Sequence, residues 1–209
     1  MLITEIFESL QGEGPLTGIP MLFVRTNLCN LRCKWCDTTY SFADGKEMNL
    51  EELINIGKNF WGDWICLTGG EPLLQRDSPD FVRSMGSYGK KVLIETGGSL
   101  DISKFTEMEN TIIDMDFKPP SSGETGRMLE SNLKFLRDRD YVKIVIQDDE
   151  DFKFFEIFYE KYGKKIKIVV QPAWGNDPKW IAEKILKEKY EVRLMLQEHK
   201  YIWGDRRGI

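Results

Sequence analysis

Short β-rich runs alternate with helical stretches along the chain, and this alternation limits the possible folds more than any other feature. Two of the runs, Lys91–Thr96 and Tyr141–Gln147, are nearly continuous in β-branched or large apolar residues, which is typical of strands covered on both faces. The predicted strands are Leu2–Glu8, Pro20–Thr26, Trp64–Thr68, Lys91–Thr96, Thr111–Phe117, Tyr141–Gln147, Lys165–Gln171 and Val192–Gln197. Repeated βα units predict a parallel sheet with right-handed crossovers.

Helical patterns lie between these runs. Asn49 is expected to cap the first helix, with Glu52 three residues later in a capping-box-like start. Asp177 is expected to cap the last one, with Pro178 in the first helical position. The predicted helices are Asn49–Phe60, Leu73–Tyr88, Gly126–Arg137, Asp149–Tyr162 and Asp177–Tyr190.

The length of the chain points to an incomplete barrel. A complete (β/α)₈ barrel usually needs about 250 residues, whereas this chain has 209. One βα unit is replaced by a cysteine-rich loop, and no helix follows the first strand directly. We therefore expect an α/β fold, a partial or trimmed β/α barrel. No linker, internal repeat or charged tail divides the sequence, so residues 1–209 are predicted to form a single domain.

Composition argues against several classes of protein. Lys plus Arg is 29 and Asp plus Glu is 34, giving a net charge of −5, whereas non-specific nucleic-acid binders usually carry a basic surface. Apolar runs such as Met21–Val24 are a few residues long, and a membrane span needs roughly 20. The first residues lack the basic region of a signal peptide. We expect a cytoplasmic protein that binds neither nucleic acid nor membrane.

Polar and glycine-rich segments follow most of the predicted strands. The carboxyl ends of parallel strands meet at one rim, where the active sites of such folds lie. The segments are Cys29–Thr38, Thr68–Pro72, Glu95–Gly98, Asp116–Ser122, Gln147–Asp148, Gln171–Trp174 and Gln197–His199. The sequence thus predicts one active site at this rim.

Cysteine spacing gives the sharpest chemical signal. Cys29, Cys33 and Cys36 form a C-x₃-C-x₂-C motif, and Cys66 stands apart within a predicted strand, where a small buried side chain is expected. Structural zinc sites and most ferredoxin clusters use four ligands. Three thiolates on a four-iron cluster leave one iron free to bind a small molecule. A zinc loop that borrows Cys66, or a non-enzymatic iron–sulfur protein, is the alternative.

This motif, with an aromatic residue before its last cysteine and a later Gly-Gly-Glu-Pro segment, resembles the radical S-adenosylmethionine (SAM) superfamily. The resemblance implies a trimmed barrel of the radical SAM type, with Cys29, Cys33 and Cys36 binding a catalytic [4Fe–4S] cluster. An external electron donor such as flavodoxin reduces the cluster, and SAM then yields a 5′-deoxyadenosyl radical. Gly69, Gly70 and Glu71 match the segment that lies against SAM.

Further motifs narrow the resemblance over nearly the whole chain. They are Phe7–Gly14, Gly18–Arg25, Cys36–Thr38, Lys118–Ser122 and Gln197–Gly204. The chain is similar to the 7-carboxy-7-deazaguanine synthase family of lyases. Its members convert 6-carboxy-5,6,7,8-tetrahydropterin into 7-carboxy-7-deazaguanine with loss of ammonia, using Mg²⁺, in queuosine and 7-deazapurine biosynthesis. The resemblance also implies a homodimer.

Roles for single residues follow from that resemblance. The substrate residues are Leu10, Gln11, Gly12, Glu13, Arg25, Thr68 and His199. The SAM residues are Trp35, Asp37, Gly69, Gly70, Glu71, Asp116, Phe117, Lys118, Gln171, Pro172, Ala173 and Trp174. Thr38 is carried over as the Mg²⁺ ligand, although charge alone favours Asp37. Arg25 near a strand end suits bidentate binding of a substrate carboxylate.

Two features leave alternatives open. Another radical SAM enzyme, such as a glycyl-radical enzyme activase, shares the cysteine spacing, but the Gln11–Glu13 loop and the Lys118–Ser122 segment favour the pterin enzyme. The tail Trp203–Ile209 differs from family members that use the chain-terminal carboxylate at the substrate.

Overall fold

One nine-stranded sheet forms the frame of the computed structural model, which describes residues 1–209. The strands are β1 Leu2–Leu10, β2 Pro20–Thr26, β3 Lys46–Glu47, β4 Trp64–Gly69, β5 Lys91–Thr96, β6 Thr111–Asp116, β7 Tyr141–Ile146, β8 Ile168–Pro172 and β9 Arg193–Leu194. They lie in the order β3-β1-β2-β4-β5-β6-β7-β8-β9, and the sheet is not closed. All neighbours from β2 to β9 are parallel. The α/β partial barrel is confirmed.

Six α-helices accompany the sheet. They are α1 Leu50–Asn59, α2 Ser78–Ser87, α3 Ser103–Thr106, α4 Asp149–Tyr162, α5 Lys179–Glu188 and α6 Glu198–Trp203. Asn49 caps α1 by accepting a hydrogen bond from the Glu51 amide, as expected of this residue type. Asp177 accepts a 2.9 Å bond from the Lys179 amide, although α5 itself starts after Pro178. None of the helices combines the length and the apolar character that crossing a membrane requires.

The sheet is covered on both faces. A cluster of 29 buried apolar residues fills the layer between the sheet and the helices, and Val92 and Ile94 of β5 belong to it. Leu93, between them in sequence, points to the opposite face and packs with Met21, Phe23 and Cys66 inside the open barrel. Alternation along each strand therefore divides one apolar run between two cores. Cys66 is buried, as predicted.

Several predicted elements are wrong in detail. The first strand does not join the parallel array, because β1 pairs antiparallel with both β2 and β3. The helix expected over Gly126–Arg137 is replaced by 3₁₀ turns at Thr125–Arg127 and Glu130–Phe135. The Asn132 amide there donates to the carbonyls of Gly98 and Leu100, so tertiary bonds set the path of the chain.

Two further predictions are too long. The helix expected from Leu73 to Tyr88 begins only at Ser78, because the buried Gln75 before it bonds the backbone of Leu2 and Asn27. The last strand, expected to reach Gln197, contains only Arg193–Leu194. Strand β3 and helices α3 and α6 are not predicted at all.

Candidate active site

Most of the predicted site residues line one cavity of about 440 Å³ at the carboxyl ends of the parallel strands. They are Leu10, Gln11, Gly12, Glu13, Arg25, Cys29, Cys33, Trp35, Cys36, Asp37, Thr38, Thr68, Gly69, Gly70, Asp116, Lys118, Gln171, Ala173, Trp174 and His199. Residues far apart in sequence thus converge where parallel strands predict a site.

Three predicted SAM residues do not line this cavity. Phe117 packs in the apolar core, with its ring centroid 4.9 Å from that of Phe158. Pro172 lines a smaller neighbouring cavity with Trp174. Glu71 is fully buried, and burial raises the pKa of its carboxyl group.

Glu71 instead joins two loops of the rim. Its carboxylate accepts hydrogen bonds from the Leu73 amide at 3.0 Å, the Thr96 hydroxyl at 2.9 Å and the Gly97 amide at 2.8 Å. These bonds satisfy the buried carboxylate and fix the segment that follows β4 against the end of β5. Glu71 therefore shapes the cavity wall from behind.

The glycines before Glu71 are required by close packing. A Cβ on Gly69 would lie 2.3 Å from the Thr26 carbonyl, and one on Gly70 would lie 2.0 Å from the Leu28 carbonyl. The Gly70 and Glu71 amides donate to those same carbonyls, at 3.0 and 2.8 Å. The Gly-Gly-Glu motif therefore holds the start of the cysteine loop, and only glycine permits this approach.

The cysteine loop, residues 27–38, follows β2 and places three half-buried thiols on the cavity. Cys29 Sγ accepts a hydrogen bond from the Leu31 amide at 3.4 Å. Amide bonds to sulfur are a feature of iron–sulfur sites. Burial raises the pKa of all three thiols, that of Cys33 to about 11.

The thiols fit a cluster better than a single ion. No three His, Cys, Asp or Glu side chains in the structure are close enough to hold one metal ion. In a four-iron cluster each thiolate binds a different iron, so the ligands lie further apart than around zinc. Cys66 is buried in the barrel and does not line the cavity.

Arg25 lies on the cavity wall, and one edge of its guanidinium is already hydrogen-bonded within the protein. Its Nε donates to Glu5 Oε1 at 2.7 Å, and the Tyr40 hydroxyl donates to the same oxygen at 3.0 Å. The ion pair is largely shielded, with each of its side chains 17% exposed. The two Nη groups make no hydrogen bond within the protein, so the guanidinium keeps a free pair of donors for a carboxylate.

The Gln11–Glu13 loop is tied to the barrel interior by its side chains. Gln11 is 2% exposed, and its Nε2 donates to Glu95 Oε1 at 2.9 Å while its Oε1 accepts from the Glu13 amide at 3.0 Å. Glu13 pairs with Lys143 at 2.7 Å and accepts from Gln197 Nε2 at 2.7 Å. The carboxylate of Glu13 is therefore fixed at both oxygens.

A buried charge cluster forms the floor of the cavity. Lys143 lies between Glu13 and Asp114, with Nζ 3.3 Å from Asp114 Oδ2. Burial works against the ionised form of Glu13, but Lys143 lowers the pKa of this carboxyl well below its ordinary value. Burial raises the pKa of Asp114 to about 7, despite Lys143. The carboxylates of Asp114 and Glu13 raise the pKa of Lys143, which burial alone would lower.

Sequence reasoning missed this cluster and other lining residues. The charged lining residues that were not singled out are Asp114, Lys143 and Lys200, whereas Glu95, Gln147 and Gln197 lie in predicted rim segments but were given no role. Asp114 and Lys143 left a readable signal, since each is a charged residue inside an otherwise apolar strand and such a residue points to a function. Ile209 also lines the cavity, although the tail Trp203–Ile209 gave no firm expectation that it would.

His199 reaches the cavity from an unexpected element. We expected it at the end of the last strand, but it lies in the first turn of α6. A Cβ added to Gly12 would lie 2.3 Å from His199 Nδ1, so glycine is needed for this approach. Next to it, Lys200 Nζ lies 2.9 Å from Asp37 Oδ2, and the Thr38 hydroxyl donates to Asp37 Oδ1 at 2.9 Å.

The comparisons with known proteins agree with this site. The Radical SAM superfamily matches residues 23–122, which contain the cysteine loop. The crystal structure of Streptococcus suis SuiB bound to S-adenosylmethionine has a TM-score of 0.59 over 80% of this chain and 48% of that chain, at 12% identity. The fold and the cysteine loop thus define a radical SAM protein, and this superfamily implies a [4Fe–4S] cluster and SAM.

Closer relatives narrow the assignment. A 7-carboxy-7-deazaguanine synthase from Thermoplasma acidophilum is 54% identical over 100% of both chains, and one from Koribacter versatilis is 39% identical over 97% of each. The crystal structure of QueE from Escherichia coli shares the fold, with a TM-score of 0.78, 22% identity and coverage of 94% of this chain and 93% of that chain. The chain belongs to the 7-carboxy-7-deazaguanine synthase family of radical SAM enzymes. This membership does not favour a glycyl-radical enzyme activase.

Proposed function

We propose that the cavity converts 6-carboxy-5,6,7,8-tetrahydropterin into 7-carboxy-7-deazaguanine with loss of ammonia. One observation carries the proposal: the cysteine loop and the wall formed by Gln11, Glu13 and Arg25 line the same cavity. When bound, the cluster and SAM supply the radical that abstracts hydrogen from the substrate. The protein then has to bind the pterin, orient it and exclude water.

The polar wall suits a carboxylated pterin. The free Nη groups of Arg25 bind the substrate carboxylate, and Glu5 holds the guanidinium in place. The fixed carboxylate of Glu13 accepts hydrogen bonds from the ring N–H groups. Thr68 and His199 add contacts from β4 and α6. Leu10 and Gly12 present their backbone at the same wall.

The other residues form the cofactor side of the cavity. SAM would contact Trp35, Asp116, Lys118 and the segment Gln171–Trp174. Its methionine end would lie against Gly69 and Gly70. The Thr38 hydroxyl, which lies beside the Asp37 carboxylate, would hold Mg²⁺, because hard oxygen ligands suit this ion. We further propose a cytoplasmic homodimer that receives electrons from a donor such as flavodoxin and serves queuosine or related 7-deazapurine biosynthesis.

Anaerobic reconstitution tests this function. We expect about four irons per chain, as a four-iron cluster requires, and conversion of the carboxytetrahydropterin to the deazaguanine under reducing conditions. Cys33→Ala removes one cluster ligand and should abolish SAM cleavage, whereas the matched control Cys66→Ala should retain its iron. A full cluster that cleaves SAM but yields no deazaguanine excludes the reaction. One zinc per chain without iron supports the metal-binding alternative instead.

A further inference from the structure

Ser121 connects the cysteine loop to helix α4 through a chain of hydrogen bonds. The Trp35 indole Nε1 donates to Ser121 Oγ at 2.9 Å, and Ser121 Oγ donates to Asp151 Oδ2 at 2.6 Å. The Ser121 amide also donates to Asp151 Oδ1, at 2.9 Å. One hydroxyl therefore accepts from the cysteine loop and donates to the helix.

Asp151 is a rigid anchor for this chain of bonds. Its side chain is fully buried in the first turn of α4, where its own amide donates to the capping carboxylate of Asp148 at 3.0 Å. Asp151 Oδ2 also accepts from the Gln147 amide at 2.9 Å. No cation pairs with this carboxylate, so neutral donors of the rim satisfy it. The position of Ser121 is thus fixed by both ends of the β7–α4 connection.

Trp35 is the part of the cysteine loop that this anchor holds. It lies between Cys33 and Cys36 and lines the cavity. The Lys118 ammonium lies 5.0 Å from the indole ring centroid, and Lys118 pairs with Asp116 at 2.8 Å. The indole is therefore fixed at its N–H edge by Ser121 and on its face by Lys118. The backbone next to it is held by the bond from the Lys34 amide to the Ser122 carbonyl, at 3.0 Å.

The neighbouring Ser122 shows what a purely local serine does in this segment. Its hydroxyl donates to the Pro119 carbonyl at 2.6 Å and accepts from the Glu124 amide at 3.0 Å. Both bonds stay within one turn. Ser121 and Ser122 are thus adjacent in sequence, but only the side chain of Ser121 reaches the cysteine loop.

We propose that Ser121 and Asp151 are positioning residues that set SAM affinity through the Trp35 indole. The proposal rests on the proposed function, in which Trp35 contacts SAM. Without the hydroxyl, the indole N–H loses its acceptor and the Asp151 carboxylate loses a donor. The indole then loses the bond that fixes its N–H edge, while the backbone bond from the Lys34 amide to the Ser122 carbonyl still holds the cysteine loop. The pterin wall lies on other elements and keeps its geometry.

The test compares Ser121→Ala with Ser122→Ala in reconstituted holoenzyme. We measure the Kd for SAM by equilibrium dialysis, the iron content, the melting temperature and the KM for the pterin. Loss of a buried hydrogen bond predicts that Ser121→Ala weakens SAM binding about tenfold, with iron content and pterin KM unchanged. Ser122→Ala should lower the melting temperature and keep the SAM affinity.

Trp35→Phe gives a second arm, because it removes the indole N–H and keeps an aromatic face for Lys118. Its effect should match that of Ser121→Ala, and the double variant should bind SAM no more weakly than either single one. The proposal is overturned if Ser121→Ala binds SAM like the wild type, if both serine variants weaken it equally, or if the double variant is additive. If the wild type binds SAM but forms no deazaguanine, the proposed reaction is refuted and the positioning role of Ser121 and Asp151 is not. If the wild type binds no SAM, both the reaction and the positioning role are refuted.

Discussion

At the scale of single residues, two central strands carry buried charges at the floor of the cavity. Asp114 on β6 and Lys143 on β7 point into the open barrel, while Ile113 and Val142 beside them belong to the outer core. A lysine buried beside two carboxylates stays charged, because their attraction offsets its lost hydration.

Asp114→Asn should change how stability depends on pH. The ordinary pKa of 3.8 is raised to about 7 in the folded protein, so between these values the folded state binds more protons than the unfolded one. Stability contributed by this group therefore falls as pH rises through that window. Asn cannot release a proton, so in apoprotein the free energy of unfolding of the variant, measured by urea denaturation, should fall less between pH 5 and 7.

Glu13, in the same charge cluster, does not produce this effect, and the raised pKa of the buried Glu71 carboxyl is common to the wild type and the variant. The pKa of Glu13 is lowered from 4.5. Its contribution to the free energy of unfolding is therefore complete above that pH and does not change between pH 5 and 7. Asp80→Asn is the matched control, because Asp80 forms an exposed ion pair with Arg83. Parallel pH curves for Asp114→Asn and the wild type would contradict the buried protonated carboxyl group.

Arg25→Lys should raise the KM for the pterin roughly tenfold or more, since an ammonium lacks the two parallel donors that bind a carboxylate. The Kd for SAM should stay unchanged, because Arg25 is not among the residues proposed to bind SAM. Steady-state kinetics and SAM binding separate the two effects. Arg83→Lys on the exposed face of α2 is the control, and an unchanged pterin KM for Arg25→Lys would remove Arg25 from the substrate site.

The residues that sequence reasoning found and missed differ in their local signal. Cys29, Cys33 and Cys36 stand in a short motif, so their spacing indicated a metal or iron–sulfur site and the resemblance to a known superfamily specified the cluster. Lys200 is an ordinary surface type in sequence, and only the return of α6 over the Gly12 loop brings it to the cavity. Long-range contacts of this kind leave no local pattern.

At the scale of elements, helix α4 is the best-defined start in the fold. Asp148 Oδ1 accepts hydrogen bonds from the Glu150 and Asp151 amides, each at 3.0 Å. Three acidic residues, Asp149–Asp151, occupy the first turn, where they complement the helix dipole. The helix predicted over Asp149–Tyr162 has the same bounds in the structure, which shows that Asp148 is its cap.

Asp148→Ala should lower the free energy of unfolding by about 1 kcal/mol, because two helix amides lose their acceptor. Chemical denaturation measures the loss. Asp205→Ala is a suitable control, since Asp205 lies in the exposed tail beyond α6. A loss no larger than that of the control would show that water caps the helix equally well.

The mispredicted elements are those whose local sequence pattern is overruled by contacts with distant parts of the chain. Residues 126–137 have a helical sequence pattern, but the Asn132 side chain and the Arg137 guanidinium donate hydrogen bonds to the backbone of neighbouring elements. The antiparallel pairing of β1 could not be read from alternation, since a strand buried in part on both faces looks the same in either direction. Tertiary contacts decided both cases.

At the scale of the whole molecule, the nine strands form one continuous sheet from β3 to β9. The outer core of 29 residues draws on β1 near one end of the chain and α5 near the other. This continuity supports the prediction that residues 1–209 fold as one domain, which the sequence suggested by its lack of a linker.

Calorimetry should therefore show one unfolding transition in the apoprotein. A continuous core couples all elements, so the van't Hoff and calorimetric enthalpies should agree. Fluorescence and far-ultraviolet circular dichroism should follow the same curve. Two separated transitions, or a proteolytic fragment that stays folded, would divide the chain into two domains.

The two ends of the sheet have a consequence for behaviour at high concentration. An unpaired strand edge is a template on which another chain can add a strand. Here β3 and β9 are each two residues long, and Lys46, Glu47 and Arg193 give them exposed charged side chains. The two-residue strand β9 therefore offers little template at its end of the sheet. At the other end β3 pairs only with Leu2 and Ile3 of β1, so the rest of β1 is the edge on which another chain has most room to add a strand.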